Sequence, residues 1–116
     1  MIVALNTVDA KMLAKMFLAG AKTLESKKEW INELNVFPIP DGDTGDNMYM
    51  TYSGGIEYMR KVTENSVGKK ASALAKGMLL NARGNSGVIL SQLYFGFAES
   101  VKEFDKITVL QLVQAF

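Results

Sequence analysis

Asp41, Asp43 and Asp46 crowd into one short stretch, Pro38-Ile39-Pro40-Asp41-Gly42-Asp43-Thr44-Gly45-Asp46-Asn47-Met48. Carboxylates at positions 41 and 43 project from one turn, close enough to share a hard cation. Mg²⁺ takes such oxygens, keeps several waters and borrows further oxygens from phosphates. The chain's 2 prolines, Pro38 and Pro40, both precede the aspartates. They lack N–H donors and force their predecessors toward extended backbone, so Val36 to Pro40 reads as a stiff, non-helical lead-in. Ahead of it, Asn35 can return a neutral oxygen to the same ion. Asp46 has a second use, as a negative charge in the positive first turn of a helix. The run Asp-Gly-Asp-Thr-Gly is also ordinary turn and cap composition, and taken alone that reading carries equal weight. Two other acidic-loop readings fail. An EF-hand register starting at Asp41 puts Asp46 where glycine is needed and Tyr52 where glutamate is needed. An aspartyl-phosphate site needs a strand leading into its first aspartate, and Phe37-Pro38-Ile39-Pro40 is a poor strand.

The second stretch is Arg83-Gly84-Asn85-Ser86-Gly87. Its glycines let backbone N–H groups converge on an anion, and a helix starting there adds its positive end. Asn85 and Ser86 can add side-chain hydrogen bonds, and Arg83 can neutralise developing phosphate charge. A Walker A loop is excluded, because no strand precedes the stretch and no Gly-Lys-Ser/Thr closes it. By itself the stretch is better read as a glycine-rich turn between helices with Ser86 as N-cap than as a phosphate site.

Composition narrows the chemistry further. With 0 histidines there is no imidazole base or ligand, and with 0 cysteines no disulfide, thiolate zinc site or thiol nucleophile. Any metal must be held by oxygen. The 13 basic and 12 acidic residues leave a net charge of +1, which argues against nucleic acid as a partner. No transmembrane run is present. The first residues lack a basic segment followed by an apolar one, so a cytoplasmic protein is the expectation.

Helices must carry these loops. Asn6 caps a first helix whose apolar positions are Val8, Met12, Leu13, Met16, Phe17, Ala21 and Leu24. Ser26-Lys27-Lys28-Glu29 reads as a capping box opening a second helix through Leu34. A third runs from about Gly45 to Val62, with Ser53-Gly54-Gly55 inside it as either a close-packing site or a break. A fourth spans about 67–82, a fifth 88–104, and Thr108 caps a last one reaching Phe116. With no useful β-alternation the fold class is all-α: an antiparallel bundle of about five or six helices. The last helix is apolar with nothing after it to pack on. Either the chain dimerises there or it is the N-terminal part of a longer domain, and the second reading is favoured.

Leu34-Asn35-Val36-Phe37-Pro38-Ile39-Pro40-Asp41-Gly42-Asp43-Thr44-Gly45, then Asn47-Met48 and Ala82-Arg83-Gly84-Asn85-Ser86-Gly87-Val88-Ile89-Leu90-Ser91-Gln92-Leu93, resemble the N-terminal nucleotide-binding domain of the bacterial fatty acid kinase catalytic subunit. That domain is similar to the DhaL-type ATP-binding domain of dihydroxyacetone kinases. The resemblance implies a closed helical barrel with ATP or ADP and two Mg²⁺ ions at one end, of which residues 1–116 are the N-terminal part. It implies Asp41 and Asp43 as metal ligands, Asn35 as the third, and Thr44 and Asn47 near the phosphates. Gly84, Asn85, Ser86 and Gly87 become the phosphate-contacting turn, and Asp46 departs from the small hydroxyl residue usual there. The implied reaction moves the γ-phosphoryl of ATP to a fatty acid carboxylate held by a DegV-type fatty-acid-binding partner. The part present here is expected to be inactive alone. A dihydroxyacetone (glycerone) kinase subunit and a non-catalytic helical interaction module are the competing readings.

Overall fold

The computed structural model describes residues 6–34 and 42–116. The expected extended run at 36–40 therefore lies outside the described residues, as do Asn35 and Asp41.

Helix α1 (Ala10–Glu33) is capped by Asp9, whose Oδ1 accepts from the Met12 N–H at 2.8 Å. Asp9, not Asn6, is the cap; Asn6 instead offers its carbonyl to the Val109 N–H. The helix runs unbroken through the expected second start. The Ser26 hydroxyl donates to the Thr23 carbonyl inside the helix, so it is not free to cap one. Between Ala21 and Glu33 there is no glycine or proline, and Lys, Leu and Glu there are good helix formers. Ala10, Leu13 and Phe17 form its buried face.

Helix α2 (Thr44–Arg60) begins at Asp43 and passes straight through Ser53-Gly54-Gly55. Close packing, not a break, is the use of the glycine pair. A Cβ on Gly54 would stand 2.5 Å from Asn81 Cβ, and one on Gly55 2.4 Å from Met78 Cγ. Both partners lie on or just after α3 (Val67–Leu80), so the glycines let the two helices approach closely. The Lys70 ammonium, reaching from α3, caps the far end of α2 by donating to the Val62 and Met59 carbonyls. Positive charge at a helix C-terminus is the favourable sign. The start of α3 is held by Ser66, which accepts from the Lys69 N–H, and by carbonyls of Phe104 and Asp105.

Helix α4 (Gly84–Val101) opens earlier than the apolar pattern implies, taking Gly84 to Gly87 as its first turn. A two-residue strand β1 (Thr7–Val8) pairs antiparallel with β2 (Ile107–Thr108), Val8 opposite Ile107. Helix α5 (Val109–Ala115) follows, capped by Thr108 as expected, and Gln111 completes a capping box with it.

The first four helices alternate in direction, each antiparallel to the next. Gly45 lies on Lys28, Gly55 on Leu74 and Gly68 on Val101. The architecture is all-α with five described helices. Leu13, Met59, Leu74, Met78, Phe97 and Val101 fill the interior. An aromatic cluster runs through it: Phe17 meets Tyr94 and Phe97 edge-on, and Phe116 stacks on Phe97 at 4.3 Å. The Tyr52 hydroxyl donates to the Phe17 carbonyl at 2.8 Å. Burial pushes both tyrosine phenols upward, Tyr52 further because Tyr94 lies against it. Among the described residues no helix is long and apolar enough to cross a membrane.

Candidate nucleotide site

Alternation of direction has a consequence at one end of the bundle. Helices α2 and α4 run parallel, and their N-termini lie side by side. Asn47 Nδ2 stands 2.6 Å from where a Gly84 Cβ would be, and Thr51 Oγ1 2.3 Å from a Gly87 Cβ. Each helix leaves the first N–H groups of its opening turn without an intrahelical acceptor, and the two positive ends add. The site is therefore a double helix N-terminus suited to a polyanion.

The backbone is built for this. Gly84 has φ +67°, a conformation side chains rarely adopt, and any Cβ there would strike the Asn47 amide. Gly87 is buried against Thr51. Of the residues the motifs singled out, Thr44 and Asn47 sit half-buried in the first turn of α2, and Ser86 half-buried in that of α4. Arg83 and Asn85 are exposed beside them. Arg83 is the N-cap residue of α4, so Ser86 is the third helical residue and not the cap. Gly84, Asn85, Ser86 and Gly87 thus form a helix's opening turn rather than a loop between helices. Asp43 is exposed at the N-cap position of α2, but its side chain makes no cap hydrogen bond. Asp46 lies in the first turn of α2, the favourable place for its charge.

Two side chains that motif reading passed over hold this end together. Asn32, near the end of α1, accepts from the Asp46 N–H at 3.1 Å through Oδ1, capping α2 from a neighbouring helix. Thr51 accepts from the Arg83 N–H at 3.0 Å and donates to the Asn47 carbonyl at 2.8 Å. A threonine one turn after Asn47, on the glycine-facing side, was the available signal for the second.

The glycine cradle and the paired helix ends are suited to phosphate groups such as a nucleotide carries. The donor set for Mg²⁺ is only partly in view. Among the described residues no group of three acidic ligands gathers, and Asp43 is the one expected ligand they contain.

Residues 38–116 match the family model of the DAK2 domain, a dihydroxyacetone kinase-like class whose domains bind nucleotide, and the all-α fold is consistent with it. The chain belongs to that family. Among curated relatives, it is similar to protein YloV of Bacillus subtilis (strain 168), with 43% identity over 112 residues, 97% of this chain and 20% of the relative. An uncharacterized protein of Staphylococcus saprophyticus is 40% identical over 111 residues, 96% of this chain and 20% of that protein. Another, from Staphylococcus epidermidis, is 39% identical over 112 residues, with 97% and 20% covered. The chain spans about a fifth of the length of these relatives.

Proposed function

We propose that this chain is the phosphate-gripping part of an ATP-dependent kinase that phosphorylates a fatty acid carboxylate. One observation carries the reading: the N-termini of α2 and α4, each bearing one of the two motifs, lie against each other at Asn47 and Gly84. Membership of a dihydroxyacetone kinase-like family supports the nucleotide. The first-turn N–H groups of α4 and the Thr44–Asn47 turn would receive the β- and γ-phosphates, with Arg83 offsetting charge. Asp41, Asp43 and Asn35 would hold Mg²⁺, which when bound neutralises charge on the bridging phosphate oxygens. The acceptor carboxylate oxygen attacks the γ-phosphorus, its bond to the ADP oxygen breaks, and an acyl phosphate leaves. A DegV-type fatty-acid-binding protein would present the acceptor. Asn35 and the Val36-Phe37-Pro38-Ile39-Pro40 run favour this acceptor over dihydroxyacetone. The family's name favours dihydroxyacetone as the second reading.

The test is calorimetric titration of the whole protein with ADP, with and without Mg²⁺. Mg²⁺-dependent binding that is lost in the Asp41→Ala/Asp43→Ala double variant is expected; unchanged binding in that variant refutes the metal assignment. Acyl phosphate trapped as hydroxamate, from ATP and a fatty acid on its carrier protein, separates the two acceptors. Turnover of dihydroxyacetone alone would favour the second.

A further inference from the structure

We infer that Thr51 is a positioning residue that sets the spacing of the two phosphate-facing helix ends. This rests on the nucleotide reading above.

Thr51 lies on α2 and is 0% exposed, although its hydroxyl is polar. That hydroxyl makes two directed bonds. It donates back along its own helix to the Asn47 carbonyl, which fixes the side-chain rotamer and turns a lone pair toward α4. It accepts the Arg83 N–H across the helix interface, 32 residues away in sequence. The bonded atom is the backbone of the α4 N-cap residue, so the contact pins where that helix begins. The same oxygen stands 2.3 Å from where a Gly87 Cβ would be, so it also fills the space the absent side chain leaves. One oxygen atom therefore decides both the orientation of the Ala82-Arg83 peptide and the approach distance of the two helices. An apolar side chain of equal shape keeps the packing but loses the acceptor. The part-buried Arg83 N–H then loses its partner, a cost relieved by moving the α4 start away toward water. The first-turn N–H groups of α4 would move with it, because Arg83 is the residue from which that turn starts.

The geometry separates two kinds of substitution. Thr51→Ser keeps the hydroxyl; Thr51→Val keeps the volume. If Thr51 served only the core, valine would be the milder change. If it positions the site, serine is.

The experiment compares the whole protein with its Thr51→Ser, Thr51→Val and Gly87→Ala variants. It measures MgADP affinity by calorimetry and amide hydrogen exchange at 83–87 in the unliganded state. MgADP affinity is expected to stay within about twofold for serine and to fall at least about tenfold for valine and for Gly87→Ala. Faster exchange confined to 83–87 should accompany the valine loss. Valine binding MgADP as wild type does, or serine weakening it as much as valine does, overturns the inference. Should Thr51→Val fail to fold, the serine and Gly87→Ala results decide on the same terms. Should the wild-type protein bind no MgADP, the nucleotide reading fails. The exchange pattern then decides the joint alone: unchanged protection at 83–87 in valine refutes it.

Discussion

Gly45→Ala tests the packing of the site against α1. A methyl on Gly45 would stand 2.0 Å from the Lys28 carbonyl oxygen and 2.9 Å from Asn32 Oδ1. A relaxed carbon–oxygen contact is about 3.3–3.6 Å, so the first turn of α2 must retreat by more than about 1 Å. The obstacle is backbone of α1 and cannot rotate aside. Overpacking of this kind costs about 1–3 kcal/mol. The retreat also breaks the Asn32 bond to the Asp46 N–H, which is worth about 1 kcal/mol as a cap. Alanine's better helix propensity returns up to about 1 kcal/mol. The net destabilisation is about 1–3 kcal/mol. At about 4 °C or more per kcal/mol in a chain of this size, Tm falls by about 4–12 °C. Gly96→Ala is the control, since nothing lies within 4 Å of a Cβ there and the position is exposed on α4. That change should raise Tm by a few degrees, from about 0.5–1 kcal/mol of helix propensity. Differential scanning calorimetry on both variants suffices. A Gly45→Ala protein melting at or above wild type would refute the argument from steric contact.

Two further outcomes follow from the hydrogen bonds at the site and in the core. Asn32→Ala should lower stability by about 1 kcal/mol and weaken MgADP binding, while Asn32→Asp, which keeps the acceptor, should restore most of both; equal loss in the two variants, by chemical denaturation and titration, would count against capping from α1. Stability should also fall as pH rises above about 10, where the unfolded chain gives up tyrosine protons that the folded core retains. Below that pH the contribution of the raised Tyr52 and Tyr94 phenols is fully present, and it is lost as pH climbs toward their folded values. In urea titrations from pH 8 to 11, Tyr52→Phe should flatten this decline; a parallel decline would show the sensitivity lies elsewhere.

The sequence announced its helices where side chains alternate cleanly and misplaced their ends where backbone contacts decide. The Thr108 cap is legible from its residue type alone, and the structure adds Gln111, three residues on, as its partner. The start of α4 is not legible, because the bond fixing it comes from Thr51, a residue distant in sequence. Ser26 looked like a cap by spacing, yet the helix around it was continuous enough to absorb its hydroxyl. The Gly54-Gly55 pair in α2 stands out in the sequence, but only the position of α3 decides between packing and a break. The motif residues Asn47, Gly84 and Gly87 do come together, whereas Asn35 and Asp41 lie outside the described residues. Asn32 could not be found by motif at all, since capping a neighbouring helix leaves no local pattern.

The pairing of Val8 with Ile107 also orders events during synthesis. Both side chains are buried in the same core, Val8 at 3% and Ile107 at 1% exposure. Val8 emerges from the ribosome with the first helix; its partner follows about 100 residues later. At about 5–20 residues per second that is a wait of about 5–20 seconds, far longer than helices take to form. The nascent bundle must therefore carry an open seam at the foot of α1 until the β2 strand arrives to seal it. A stalled ribosome anywhere in α4 would leave Val8 displayed to chaperones and proteases rather than to the core.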